Sequence, residues 1–155
     1  MTAVKAWHPQ SGPRRSFAGR VFFAISILVP MAAYADCDPS RGASQISFAK
    51  TIEPILNKSC ALASCHIPNG PPPHDLVLVA GHSYEHLIAV PSVEADTMRL
   101  VEPGNPEASY LIHKLRGTHK EVGGGGARMP FDLDPLTEEQ IAIIATWIGD
   151  CSPNN

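Results

Sequence analysis

Fifteen prolines and twelve glycines interrupt a chain of 155 residues, and they limit how far any regular element can run. Proline removes a backbone donor and fixes φ, and glycine loses the most conformational freedom on ordering. The sequence therefore predicts short helices joined by much irregular chain, and it disfavours a large β-sandwich or a long coiled coil. Setting aside the first 35 residues, for reasons given next, about 120 remain. That is near the usual size of one domain and excludes a multidomain enzyme.

Residues 1–35 carry Lys5, Arg14, Arg15 and Arg20 and no acid, followed by an apolar run from Val21 to Ala33 and the small-x-small ending Ala33-Tyr34-Ala35. This is the pattern of a signal peptide, with cleavage expected before Asp36. The run contains Pro30 and falls short of the ~20 residues a spanning helix needs, so no stable membrane span is expected. An uncleaved anchor is the alternative. Arg14-Arg15-Ser16-Phe17 also resembles the core of a twin-arginine signal, which exports proteins already folded. Either route leads to the periplasm or the cell surface, where cysteines can be oxidised or modified. Without the four leader cations, eight basic residues face fifteen acidic ones, a net charge of about −7 with histidines neutral. Nucleic-acid binding, which needs a basic face, is disfavoured, and a basic protein partner suits the charge.

Four cysteines remain: Cys37, Cys60, Cys65 and Cys151. Cys60-Ala61-Leu62-Ala63-Ser64-Cys65-His66 is two residues longer than the Cys-x-x-Cys-His run that attaches c-type haem. Two thiols can add to the two vinyl groups of the porphyrin, and the next imidazole can reach the iron. The two extra residues have to bulge out between the thiols. The heptad alone is equally compatible with a Cys60–Cys65 disulfide and a surface His66. A zinc site built from Cys60, Cys65, His66 and another histidine ranks third, because zinc pairs use shorter chelate spacings.

Along the rest of the chain, Phe48, Ile52, Ile55 and Leu56 recur at helical spacing from Ile46 to Ser59, with a kink or break expected around Glu53 because of Pro54. Ile67 to His74 is too rich in proline to be helical, and Leu76 to Val79 reads as a short strand or a buried extended segment. Ser83 to Val90 is a candidate helix with Ser83 as its cap. Asn105 caps a helix that begins at Pro106 and runs to Arg116, carrying Leu111, Ile112 and Leu115 on its apolar face and stopped by Gly117. Glycines 123 to 126 predict a flexible loop before Met129-Pro130. Thr137-Glu138-Glu139-Gln140 is a capping box opening a helix with Ile141, Ile144, Ala145 and Ile148 on one face.

Taken in order, these pieces resemble a class I, single-haem c-type cytochrome domain of the exported bacterial kind. The likeness runs from about Ile46 to Cys151: Pro54-Ile55-Leu56 before the first cysteine, the Cys/Cys-His site, a helix after Pro103-Gly104-Asn105-Pro106, the Met129-Pro130 loop and a closing helix with Trp147-Ile148. The variant spacer is the departure. The resemblance implies an all-α fold of three to five short helices with long ordered loops around one covalent haem c. It assigns Cys60 and Cys65 to attachment, and His66 and Met129 to the iron. Met129 also stands out on its own, since Met98 lies between ordinary polar neighbours. The histidines at 74, 82, 86, 113 and 119 follow no attachment motif and read as surface or supporting residues, with His74 and His82 as runner-up ligands.

In the family the first and last helices cross, and Cys37 and Cys151 flank them here. The resemblance thus implies a Cys37–Cys151 disulfide, whose large loop corresponds to about 4 to 5 kcal/mol of chain entropy. The resulting organisation is a signal peptide at 1–35, an extension at 36–45, a haem domain at 46–151 and a tail at 152–155. The function implied is electron transfer to a redox partner protein with a basic docking face, with no enzymatic role, since His66 and Met129 saturate the iron. The rival readings are a haem peroxidase or gas sensor with a displaceable Met129, and a haem-free, disulfide-bonded helical binding module.

Overall fold

Pro54 decides the form of the opening helix. In the computed structural model of the protein, which describes residues 37, 44–68 and 75–155, the chain enters through a π-helical turn, Phe48–Ile52, and then continues as α1, Glu53–Cys60. A proline amide cannot donate, so it is tolerated in a first helical turn, where donors have no intrahelical partner. The wider turn before it closes on Ser47, whose carbonyl accepts from Thr51 N at 3.0 Å and Ile52 N at 3.3 Å. The break expected around Glu53 is thus present. The described residues fall in one compact unit, Ala32–Asn155. The expected signal peptide at 1–35, the Asp36 cleavage point and His74 lie outside the described residues.

Phe48, Ile52, Leu56 and Cys60 recur every fourth residue, and all four are buried. The face that anchors the opening helix in the core therefore also carries Cys60 inward. Among the described residues three further α-helices follow: α2, Ser83–Leu87; α3, Tyr110–Arg116; and α4, Glu138–Gly149. The capping box of α4 is formed, with Thr137 Oγ1 accepting from Gln140 N at 3.2 Å and Gln140 Oε1 accepting from Thr137 N at 3.0 Å. Ile141, Ile144, Trp147 and Ile148 are buried along it. Among the described residues there are no strands, only isolated bridges Ile88–Val101, Pro91–Arg99 and Arg99–Ser109. The fold is all-α.

Two helices are shorter than their sequences suggest. The segment from Pro106 to Arg116 divides into a 3-10 turn, Pro106–Ala108, capped by Asn105 Oδ1, and α3. Buried Ser109 holds the junction extended: its hydroxyl accepts from Glu102 N at 2.9 Å and donates to Asn105 O at 2.8 Å. Ser83 is not a cap. It sits inside α2 with its hydroxyl donating to Val79 O at 2.9 Å, and α2 stops at Leu87 because the following chain pairs instead with Val101. Leu76–Leu78 takes no regular secondary structure, and Leu78 N donates to His66 O at 2.9 Å. Gly117, at φ +79°, ends α3 in the left-handed region that favours glycine.

The residues around the opening helix close on those that follow α4. Cys37 and Cys151 form a disulfide with Cα atoms 5.2 Å apart across a separation of 114 residues. Phe48 lies 5.2 Å from the Trp147 ring and edge-on to Tyr84 at 5.1 Å. The residues after Cys151 join the same knot. Asn155 O accepts from Ser47 Oγ at 2.6 Å and Ala49 N at 3.0 Å, and Trp147 Nε1 donates to Pro153 O at 3.0 Å.

Candidate functional site

The four residues singled out in the sequence, Cys60, Cys65, His66 and Met129, all line one cavity of about 520 Å³. That volume lies within the ~300–1,000 Å³ common for cofactor and ligand sites. Leu76, Leu78, Leu87, Leu100, Leu111 and Leu115 supply much of its wall. They come from the Leu76–Leu78 segment, α2, the chain after it and α3, so the site forms only once the helices are packed.

Cys60 ends α1 on its buried side. Burial, and then the neighbouring Cys65, push its thiol up to about 11, so the sulfur is held protonated at neutral pH. Cys65 is half-buried, and the two thiols are not bonded to each other. The spacer behaves as its length demands. Leu62, Ala63 and Ser64 are exposed, Cys65 N donates to Leu62 O at 2.9 Å, and Ser64 takes a left-handed φ of 65°. The loop then returns, with His66 N donating to Cys60 O at 3.1 Å. The two additional residues are therefore absorbed outside the cavity while the second cysteine and the histidine come back to the helix end.

His66 is buried and clasped by the Leu76–Leu78 segment. Its Nδ1 lies 3.0 Å from Leu76 O, and its own carbonyl accepts from Leu78 N at 2.9 Å. A carbonyl can only accept, so Nδ1 carries the proton and the lone pair of the neutral ring is on Nε2. This is the arrangement that orients an imidazole as a metal ligand. Met129, on the far side of the sequence, is fixed at its backbone by donating to Lys114 O at 3.0 Å.

The other histidines divide unevenly. His82 is exposed beside Glu85 and does not line the cavity, whereas His86 does. His113 bonds Thr118 Oγ1 and Glu107 O at the end of α3. His119 is buried, not at the surface, and bonds Gly126 O through Nε2 at 3.2 Å. Among the described residues no group of three or more His, Cys, Asp or Glu side chains is placed to hold a metal ion, so a zinc site of that make-up gains no support.

The sequence reading missed a buried charged cluster in the wall. Lys114 Nζ lies 2.6 Å from Glu94 Oε2, and Tyr110 OH donates to the same oxygen at 2.9 Å. Burial, and then the Glu94 carboxylate, hold the Tyr110 phenol well above its ordinary value. A salt bridge between residues 20 apart has no periodic signature. The glycine run also differs from the flexible loop expected of it. Gly125 O accepts from Lys114 Nζ at 3.1 Å, Gly124 N donates to His119 O at 2.8 Å, and a Cβ at Gly124 would collide with the Tyr110 hydroxyl. Close packing requires glycine at 124 and 126, whereas a Cβ at Gly123 or Gly125 would meet no atom within 4 Å.

At the rim, Val93, Phe131 and Leu133 are exposed large apolar side chains that also line the cavity. No protein-family model, curated protein or solved structure matches the chain.

Proposed function

We propose that the protein is an exported electron-transfer protein of the c-type cytochrome kind, carrying one haem bound covalently through Cys60 and Cys65, with His66 and Met129 as axial ligands. The observation that supports this most is the convergence of those four residues on a single apolar cavity from two separate parts of the chain, the Cys60–His66 heptad and the Met129 loop. Donor chemistry fits: two unbonded thiols, an imidazole oriented through Nδ1 and a neutral thioether. Attachment needs no oxidant, since each S–H adds across a vinyl C=C, sulfur taking one carbon and the proton the other. When bound, haem supplies a reversible one-electron couple.

The chain's residues do the remainder. The leucine side chains would keep water from a bound haem, the Leu76 carbonyl keeps His66 in one tautomer, and Met129 would hold the iron against oxygen or peroxide. The neutral thioether favours ferrous iron and so a higher potential. The acidic mature chain suits a basic partner, with association that weakens as salt rises. The Cys37–Cys151 disulfide suits export, and no helix among the described residues is long and apolar enough to cross a membrane.

The test is the sulfur-to-iron charge-transfer band of the oxidised protein, read with the reduction potential. Met129→Ala is expected to abolish the band, lower the potential and raise peroxidase activity, with water or His86 replacing the sulfur. Met98→Ala, which alters a residue outside the cavity, is expected to leave all three unchanged. A band absent from the parent favours the peroxidase or sensor reading instead.

A further inference from the structure

We infer that Glu94, Tyr110 and Lys114 are positioning residues for Met129, fixing the glycine run that leads into it and so keeping its sulfur in the cavity wall. This rests on the proposed function above for the role of the sulfur, but the placement itself is seen in the geometry. Lys114 contributes twice: its carbonyl accepts from Met129 N at 3.0 Å, and its ammonium donates to Gly125 O at 3.1 Å while pairing with Glu94 at 2.6 Å. Tyr110, one helical turn earlier, donates to Glu94 Oε2 and holds that carboxylate in register.

The glycines are shaped to this cluster. A Cβ on Gly126 would lie 2.7 Å from Glu94 Oε1 and 3.2 Å from Lys114 Nζ, at a φ of +69° that already disfavours a side chain. Gly126 O in turn accepts from His119 Nε2 at 3.2 Å. The run is thus gripped on both sides. A buried ion pair is a poor source of net stability, because desolvation offsets most of its attraction. What this pair does supply is direction: an ammonium whose hydrogen bonds go to one carboxylate and one loop carbonyl fixes that loop relative to α3. With Met129 three residues beyond Gly126, the ligand's freedom to leave the iron is set by this grip.

The experiment compares the parent with Glu94→Gln/Lys114→Met, which removes both charges of the pair together, and with Gly126→Ala, which keeps the pair and crowds it. In exported, haem-loaded protein, both variants are expected to retain covalent haem and helix content. Both are expected to lose most of the sulfur-to-iron band, show a lower potential, and bind added imidazole roughly tenfold more tightly than the parent. In haem-free chain, amide exchange at Met129 is expected to quicken roughly tenfold while Ile144 and Trp147 in α4 keep their protection. Unchanged Met129 exchange in both variants, or a band and imidazole affinity matching the parent, overturns the inference. Should the double variant fail to fold, Gly126→Ala alone decides on the same criteria. A parent without haem, or with haem but no band, contradicts the proposed function, and the Met129 exchange data then still decide the loop's placement.

Discussion

The two cysteine pairs sit in surroundings that could hardly differ more. Around Cys37 and Cys151 the packing is closed: Phe48 lies on Trp147, Asn155 saturates the amides of the opening turn, and the sulfurs are joined. Around Cys60 and Cys65, five residues apart, the sulfurs are separate, the wall is apolar, and a cavity remains where core packing would otherwise be complete. Nearness in sequence does not decide which thiols pair. The 114-residue pair is brought together where the opening turn packs on α4 and on the residues after it, Phe48 against Trp147 and Asn155 against Ser47 and Ala49, whereas the short pair is held apart by the end of α1 and a looped-out spacer. One region is built to be finished by the chain alone. The other leaves a cavity lined mainly by apolar side chains.

The sharpest way to break that contrast is to remove the cavity thiols. Serine at both Cys60 and Cys65 is expected to abolish covalent haem, and either single change to leave at most one attachment, read on a haem-stained denaturing gel. Removing the other pair should act on stability alone. The Cys37→Ser/Cys151→Ser variant is expected to lose about 4 to 5 kcal/mol in denaturant unfolding and to keep its haem spectrum while folded. Loss of the spectrum from the folded variant removes the division between the two regions. A subtler contrast lies within the cavity pair. In haem-free chain the Cys60 thiol, raised to about 11, is expected to resist alkylation at neutral pH and to become reactive only as pH approaches that value, whereas the half-buried Cys65 labels first. Peptide mapping after timed labelling checks the order. Least affected should be Thr137→Ala, which removes one half of the α4 capping box and is expected to lower stability by about 1 kcal/mol without touching the haem spectrum.

Much of this was written locally. The 3.6-residue recurrence of Ile141, Ile144 and Ile148 and the Thr137–Gln140 box mark α4, and the Cys/Cys-His heptad with a lone Met-Pro marks four residues that meet in space. What the sequence hid depends on partners far along the chain. Ser109 splits a helix because Glu102 and Asn105 answer its hydroxyl, and α2 ends early because Val101 pairs with the chain after it. Glycines 123 to 126 looked like slack, since composition cannot distinguish a glycine chosen for freedom from one chosen for close approach. At Gly124 and Gly126 only the positions of Tyr110, Glu94 and Lys114 reveal the second cause. His86 carries no motif at all and is recognisable only as part of the cavity wall.

Cys60 and Cys65 are proposed to hold a haem, whereas Cys37 and Cys151 hold each other. Intact mass of the exported protein, denatured without reductant, addresses both at once. The expected mass is that of the chain from Asp36, less the two hydrogens lost to one disulfide, plus one haem, with no thiol left to alkylate. A haem-free mass from cells that mature other c-type proteins, with Cys60 and Cys65 either alkylatable or joined to each other, contradicts it.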